Sequence, residues 1–232
     1  MLINLIFVIR KEIVFSIFNG MINLKNVRTR VIVALMLTIK IVVILLLAKY
    51  CIMNRQPETS AFETIHGRTS IRSYTAEYVS DEQVEQLLRA AMAAPSSRNI
   101  QPWFFYVIRD AETLSELAES LPFAKMLASA PLAIVVCGDT LKGNPNEEQL
   151  KNWVMDCSAA TQNLLLAAQA MGLGAVWTGV YPYADRIKSV RDILDIPNHL
   201  IPLNVIPVGH PADKPVPKDK WDPGKVTGWP GE

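Results

Sequence analysis

The sequence is short of the groups that build self-contained chemistry. Cysteine is scarce: Cys51, Cys137 and Cys157 are the only three in 232 residues, and no C-x-x-C pair occurs. An odd number at that spacing suits neither a disulfide framework nor a zinc site. Cys137 ends an apolar run and Cys157 falls in a helical pattern, so both read as buried small hydrophobes rather than redox groups. The three histidines, His66, His199 and His210, are isolated and form no metal-ligand cluster. There is no GK[ST] phosphate loop and no G-x-S-x-G elbow, and Gly172-Leu173-Gly174 lacks the third glycine of a dinucleotide fingerprint. A protein without these, if it is an enzyme, takes its reactivity from a cofactor. Acid is nearly missing from the first 55 residues, which hold Glu12 against eight Lys or Arg. The rest carries 15 basic and 21 acidic residues, so the formal charge of +1 divides into about +7 and −6. That acidic portion has no basic field of the kind nucleic acid needs, which disfavours such a partner.

Apolar residues, by contrast, make up half of the chain. Residues 31–48, VIVALMLTIKIVVILLLA, form an 18-residue run broken only by Lys40. That is close to the minimum for crossing a bilayer, and Lys25, Arg28 and Arg30 precede it as a cytoplasmic flank would. Three readings stand: an export signal, an uncleaved anchor giving membrane association through 31–48, or translated sequence upstream of a later start such as Met53, which leaves a cytoplasmic protein. Lys40 at mid-span costs a spanning helix about 2.5–3.5 kcal/mol. Ala48-Lys49-Tyr50-Cys51 lacks the small residue that precedes a lipid-bearing cysteine. Residues 49–60 read as a polar linker. The chain thus divides into an apolar extension, 1–55, and one folded domain, 56–232, long enough for a single core.

From Ser60 onward the periodicities are those of a mixed helix and strand domain. A short helix is expected over Ala61–His66. Ser80-Asp81-Glu82-Gln83 is a capping box, opening a helix through about Ala94 with Val84, Leu87, Leu88 and Ala91 on one face; Pro95 stops it. Trp103–Ile108 is strand-like and Glu112–Ser120 helical. Leu132–Cys137 is wholly apolar, as a strand buried on both faces is. Glu147–Met171 carries so broad an apolar stripe that a central helix is expected, closed by Gly172. Ala175–Val180 reads as a strand, Tyr183–Leu194 as a helix, and Ile201–Val208 as a strand whose prolines place it near an edge.

Three polar clusters remain. Arg68-Thr69-Ser70-Ile71-Arg72 sets two guanidiniums beside a hydroxyl, either a phosphate grip or a solvated loop. Pro95-Ser96-Ser97-Arg98-Asn99-Ile100-Gln101-Pro102 is a stiff loop of donors and acceptors, suited to a polar heteroaromatic edge or to an ordinary turn. In Gly209–Lys220 the prolines hold the chain extended, so Lys218 and Lys220 project to one side; a solubilising tail is the alternative. Taken in order, R-T-S-I-R-S-Y, A-P-S-S-R-N-I-Q-P-W, N-L-L-L-A-A-Q-A-M-G-L-G-A-V-W-T-G and V-G-H-P-A-D-K-P-V-P-K-D-K resemble the nitroreductase family of FMN enzymes over about residues 60–226.

The resemblance implies an α+β fold, a central mixed sheet flanked by helices, with the long central helix at a dimer interface. It implies that Arg68, Ser70, Arg72 and Lys220, with Lys218 more weakly, hold the FMN phosphate, and that Thr69 contacts the ring. Pro95, Ser96, Ser97, Asn99 and Gln101 reach the flavin from the partner subunit of a homodimer. Backbone at Thr178, Gly179 and Val180 lies beside flavin N5, and Lys125 near the pyrimidine end of the ring, where a cation stabilises negative charge. No side chain is expected to be catalytic beyond the flavin itself. The implied reaction is ping-pong transfer of two electrons from NAD(P)H to nitroaromatics, quinones or similar electron-poor acceptors. Lys220 departs from the arginine more usual at that position and gives up bidentate geometry.

Overall fold

A computed structural model describes residues 27–53, 60–143, 152–213 and 216–228. The chain forms two compact units, Met1–Pro57 and Glu58–Glu232. Within the first, α1 (Val27–Met53) has no amphipathic face, and large apolar side chains from Val31 to Leu47 are exposed on all sides of it. Over the described residues alone no helix is long and apolar enough to cross a membrane. The run 31–48 covers about 27 Å at 1.5 Å per residue, against a hydrocarbon core of about 30 Å.

The second unit is a sheet with helices on both faces. Its elements are α2 (Ala61–Gly67), α3 (Asp81–Met92), β1 (Trp103–Ile108), α4 (Ala111–Ser120), β2 (Leu132–Asp139), α5 (Asn152–Ala170), β3 (Gly174–Ala175), β4 (Thr178–Gly179), α6 (Ala184–Leu194) and β5 (Leu200–Gly209). The strand order is β1-β2-β5-β3, with β4 also on β5, and every described pairing is antiparallel. The α+β architecture read from the sequence stands.

Period-2 alternation in β2 builds both halves of the core. Leu132, Ile134 and Val136 pack with Val84, Leu87 and Ala91 of α3 and with Cys157, Ala160, Leu164 and Ala168 of α5. Ala133, Val135 and Cys137 face the other way, onto Leu114 and Leu117 of α4 and Val190 of α6. Each apolar run therefore meets a helix stripe, and β2 is buried along nearly its whole length. Cys137 and Cys157 are buried in these layers, and the Cys157 thiol donates to the Cys137 carbonyl at 3.6 Å. Burial pushes the Cys137 thiol up to about 12, so it stays protonated and inert.

The helix starts follow local chemistry. Ser80 Oγ accepts from the Gln83 N–H, while the Gln83 side chain accepts from the Ser80 N–H at 2.9 Å, which is the predicted box. A second box, Ser60 with Glu63, opens α2. Asp110 caps α4 by accepting from the Thr113 N–H at 2.8 Å, and that hydrogen bond holds its carboxyl below the usual range. Gly172 ends α5 at φ +72°, a conformation that only glycine adopts without strain. The expected start of this helix at Glu147 lies outside the described residues.

Two expectations are corrected. β5 is not near an edge: it runs between β2 and the β3–β4 side of the sheet. Its prolines sit where no N–H is needed. Pro202 lies beside a register shift at Val136/Cys137, and Pro207 falls between the stretches paired to β3 and to β4. The second correction has the same cause. The strand expected over Ala175–Val180 is two dipeptide strands, because Val176 and Trp177 leave the ladder where β5 offers Pro207.

Candidate active site

The site grows from the short extended segment after α2. Arg68 leaves the helix with extended backbone, its N–H donating to the Thr64 carbonyl. The Ile71 N–H donates to the Ala175 carbonyl at 3.1 Å, stitching the segment to β3. Ile71 is buried against Gly174, where a Cβ would come within 2.6 Å of its side chain. Alternation then turns Arg68, Ser70 and Arg72 to the opposite side. Tyr74 locks the far end: its hydroxyl donates to the Ile71 carbonyl at 2.7 Å and reaches the Pro207 carbonyl at 3.3 Å. Burial drives the Tyr74 phenol well above its usual range, opposed by the Arg72 charge.

Hydrogen bonds from the Thr75 N–H to the His210 carbonyl and from the Ala212 N–H to the Ser73 carbonyl tie the exit of β5 to this segment. The tail is thereby brought across the two arginines. A cavity of about 800 Å³ results, lined by Arg68, Thr69, Ser70 and Arg72 on one wall and by Lys218, Asp219, Lys220 and Trp221 on the other. Four cations line it against one carboxylate. Among the described residues none of the four makes an ion pair, and Asp219 is engaged with the Trp221 N–H. The residues fit a phosphate-bearing ligand, since an anion there meets two guanidinium forks, two ammonium groups and a hydroxyl. Thr69 also lines a second cavity of about 510 Å³ on the other side of the segment, with Gln169 and His210.

The remaining candidates are not gathered in this cavity. Pro95, Ser96, Ser97, Asn99 and Gln101 form a separate loop, Lys125 is exposed at the start of a 3-10 turn, and Thr178, Gly179 and Val180 lie on and just after β4. The loop is tightly built. Arg98, Asn99 and Gln101 all have positive φ, at 50°, 57° and 53°, which costs on the order of 1–3 kcal/mol for each such non-glycine residue. Ser96 Oγ accepts from the Gln101 N–H at 3.0 Å, and the Gln101 amide donates to Asn99 Oδ1 at 2.8 Å. Beside β4, buried Asn204 donates to Thr161 at 3.0 Å, while Thr178 Oγ1 and Asn204 Oδ1 are buried without a hydrogen-bond partner.

Sequence reasoning missed the aromatic and apolar wall of the cavity, Trp221 with Ile65 and Val216. It also missed Asp156 and Asn152 of α5, which bond to Ser97. The same helix also carries Ser158, Thr161, Gln162 and Asn163, so the spacing of Asn152 and Asp156 gave no distinct signal.

Comparison with known proteins identifies the family. The sequence profile of the nitroreductase family matches residues 65–122 and 116–210. A protein of Methanothermobacter thermautotrophicus, provisionally named NADH dehydrogenase/NAD(P)H nitroreductase, is 45% identical over 71% of this chain and 84% of its own length. The crystal structure of a protein with the same provisional name from Parabacteroides distasonis superposes with a TM-score of 0.69 at 51% identity, covering 74% of this chain and all of that one. An FMN-dependent nitroreductase from Clostridium difficile superposes with a TM-score of 0.65 at 28% identity, covering 72% of this chain and 97% of its own. The chain belongs to the nitroreductase family.

Proposed function

We propose that residues 56–232 form an NAD(P)H-dependent FMN oxidoreductase that reduces nitroaromatics, quinones or similar electron-poor acceptors, and that residues 1–55 lie outside the catalytic domain. The enzyme class and the cofactor rest on family membership and on matched proteins named for FMN and NAD(P)H. The observation that carries the reading to this chain's residues is the cavity lined by four cations that make no ion pair among the described residues. What FMN supplies when bound is two-electron redox capacity, charged by NAD(P)H and discharged on the acceptor in turn.

The protein's own residues bind, orient and polarise. Arg68, Ser70 and Arg72 hold the phosphate from one wall, and Lys220, helped by Lys218, from the other. Thr69, on the segment between the two cavities, would contact the ring of a bound FMN, and the backbone at Thr178–Val180 would contact it from β4. The Lys125 ammonium stabilises negative charge on the reduced ring. The loop at Pro95–Gln101 does not line its own chain's cavity, which supports its acting across the interface of a homodimer. The FMN-loaded protein is expected to sediment as a dimer and to oxidise NADH or NADPH continuously with menadione as acceptor. A monomer with full turnover would remove the shared site, and a flavin-loaded dimer that oxidises neither nucleotide would leave a binding protein in place of a reductase.

A further inference from the structure

Asp156 has no part in the cofactor reading, and its position is unusual. It sits within the apolar stripe of α5, between Trp153 and Ala160, and among the described residues it is the one acidic side chain that is buried, at 8% exposure. Burying a carboxyl group is unfavourable unless a donor meets it. Its described partner is backbone: Oδ1 accepts from the Ser97 N–H at 2.9 Å. One turn earlier on the same helix face, Asn152 donates to Ser97 Oγ at 3.3 Å. Both groups converge on one residue of the loop, Ser97.

We propose that Asp156, assisted by Asn152, is a positioning residue that holds the Pro95–Gln101 loop in its flavin-contacting conformation; the inference rests on the FMN reading above. Three residues of left-handed backbone within four positions do not persist unless the surroundings over-determine them. The internal bonds from Ser96 to Gln101 and from Asn99 to Gln101 close the loop on itself but do not attach it to the domain. The two bonds from α5 do. They fix the loop to the helix whose neighbouring buried residues, Cys157, Ala160 and Leu164, pack on β2. Loop geometry and core packing are thereby coupled through a single rigid element. Positioning groups of this kind set the precision of a site without touching the reacting atoms.

The test compares Asp156→Ala, Asp156→Asn and a control, Leu164→Ala, in the full chain. Leu164 is fully buried on the same helix and touches no loop residue by hydrogen bond, so its truncation lowers stability without releasing Ser97. Two quantities are read: the FMN dissociation constant of the folded protein, and the rate of tryptic cleavage after Arg98 in the apoprotein. Leaving the Ser97 donor unsatisfied is expected to raise both about tenfold in Asp156→Ala. Asp156→Asn keeps an acceptor oxygen and is expected to recover to within about threefold of wild type. Leu164→Ala is expected to leave both within about twofold while lowering the melting temperature.

Ser97→Pro deletes the same donor from the loop side and serves if Asp156→Ala does not fold. Ser96 before it is already extended, at φ −137° and ψ 154°, as a following proline demands. It is expected to match Asp156→Ala in cleavage, the readout that does not depend on the Ser97 hydroxyl's own place beside the flavin. If Asp156→Ala or Ser97→Pro leaves FMN affinity and cleavage unchanged, or if Leu164→Ala shifts them equally, the inference falls while the flavin reading stands. A wild-type protein that takes up no FMN overturns both.

Discussion

Alanine at both Arg72 and Lys220 is expected to raise the FMN dissociation constant by about two orders of magnitude or more, because each removes a charge-assisted hydrogen bond of about 1.5–3 kcal/mol. The apoprotein's melting temperature is expected to stay nearly constant. Both side chains are exposed and neither is in an ion pair among the described residues, so the folded chain loses little when they go. That separation is what makes the pair diagnostic: ligand binding collapses and stability does not. Singly, Arg72→Ala is expected to weaken FMN more than Lys220→Ala, since the guanidinium fork gives two parallel bonds where an ammonium gives a point charge. By the same reasoning Lys220→Arg is expected to tighten binding. Flavin fluorescence quenching, titrated into apoprotein at two ionic strengths, reads all four. The wild-type affinity should fall with salt, because the cations stand open to solvent. If both single variants bind FMN normally, the phosphate does not lie in this cavity.

Gly138→Ala is expected to destabilise the domain by about 3 kcal/mol, the upper end for overpacking a filled core. A Cβ built there falls 2.1 Å from the Trp153 ring, with two further ring atoms inside 3 Å. No easy relief exists. Gly138 is inside the fully buried part of β2, paired to Trp103 on one side and Ile201 on the other. Trp153 in turn is held edge-on by Tyr181, with ring centroids 5.0 Å apart. For a domain of this size, about 3 kcal/mol lowers the melting temperature by roughly 6–12 °C. In a Trp153→Leu background the same glycine substitution is expected to cost much less, since the side chain it strikes is smaller. A double-mutant cycle by thermal melts checks this, and equal costs in the two backgrounds would exclude the ring contact as the cause.

Much of this was legible before any coordinates. The wholly apolar 132–137 run, the capping box at Ser80 and the broad stripe of the central helix each follow from short-range patterns; the first two formed as read, and the helix did over Asn152–Ala170. β5 was misplaced because proline near an edge is a rule about missing donors, and here a register shift and a gap between β3 and β4 remove the demand for those donors internally. The broken strand at 175–180 could not be read locally, since Val176 and Trp177 are good strand residues and their exclusion comes from Pro207, thirty residues on. In the site, the arginine pair and the lysine pair were visible as segments. That they face each other depends on Tyr74, Thr75 and Ala212 tying two distant stretches together. Asp156 was invisible for a simpler reason: one acid in an apolar stripe has no period, and only its contact with Ser97 shows what it does.

The measurement that bears most directly on the central claim is the visible spectrum of the purified protein supplied with FMN and freed of excess by gel filtration. Flavin absorbance is expected to co-elute with the protein, to bleach on anaerobic addition of NADH or NADPH, and to return on addition of menadione. Protein that elutes colourless, or that holds flavin neither nucleotide can bleach, would contradict that claim.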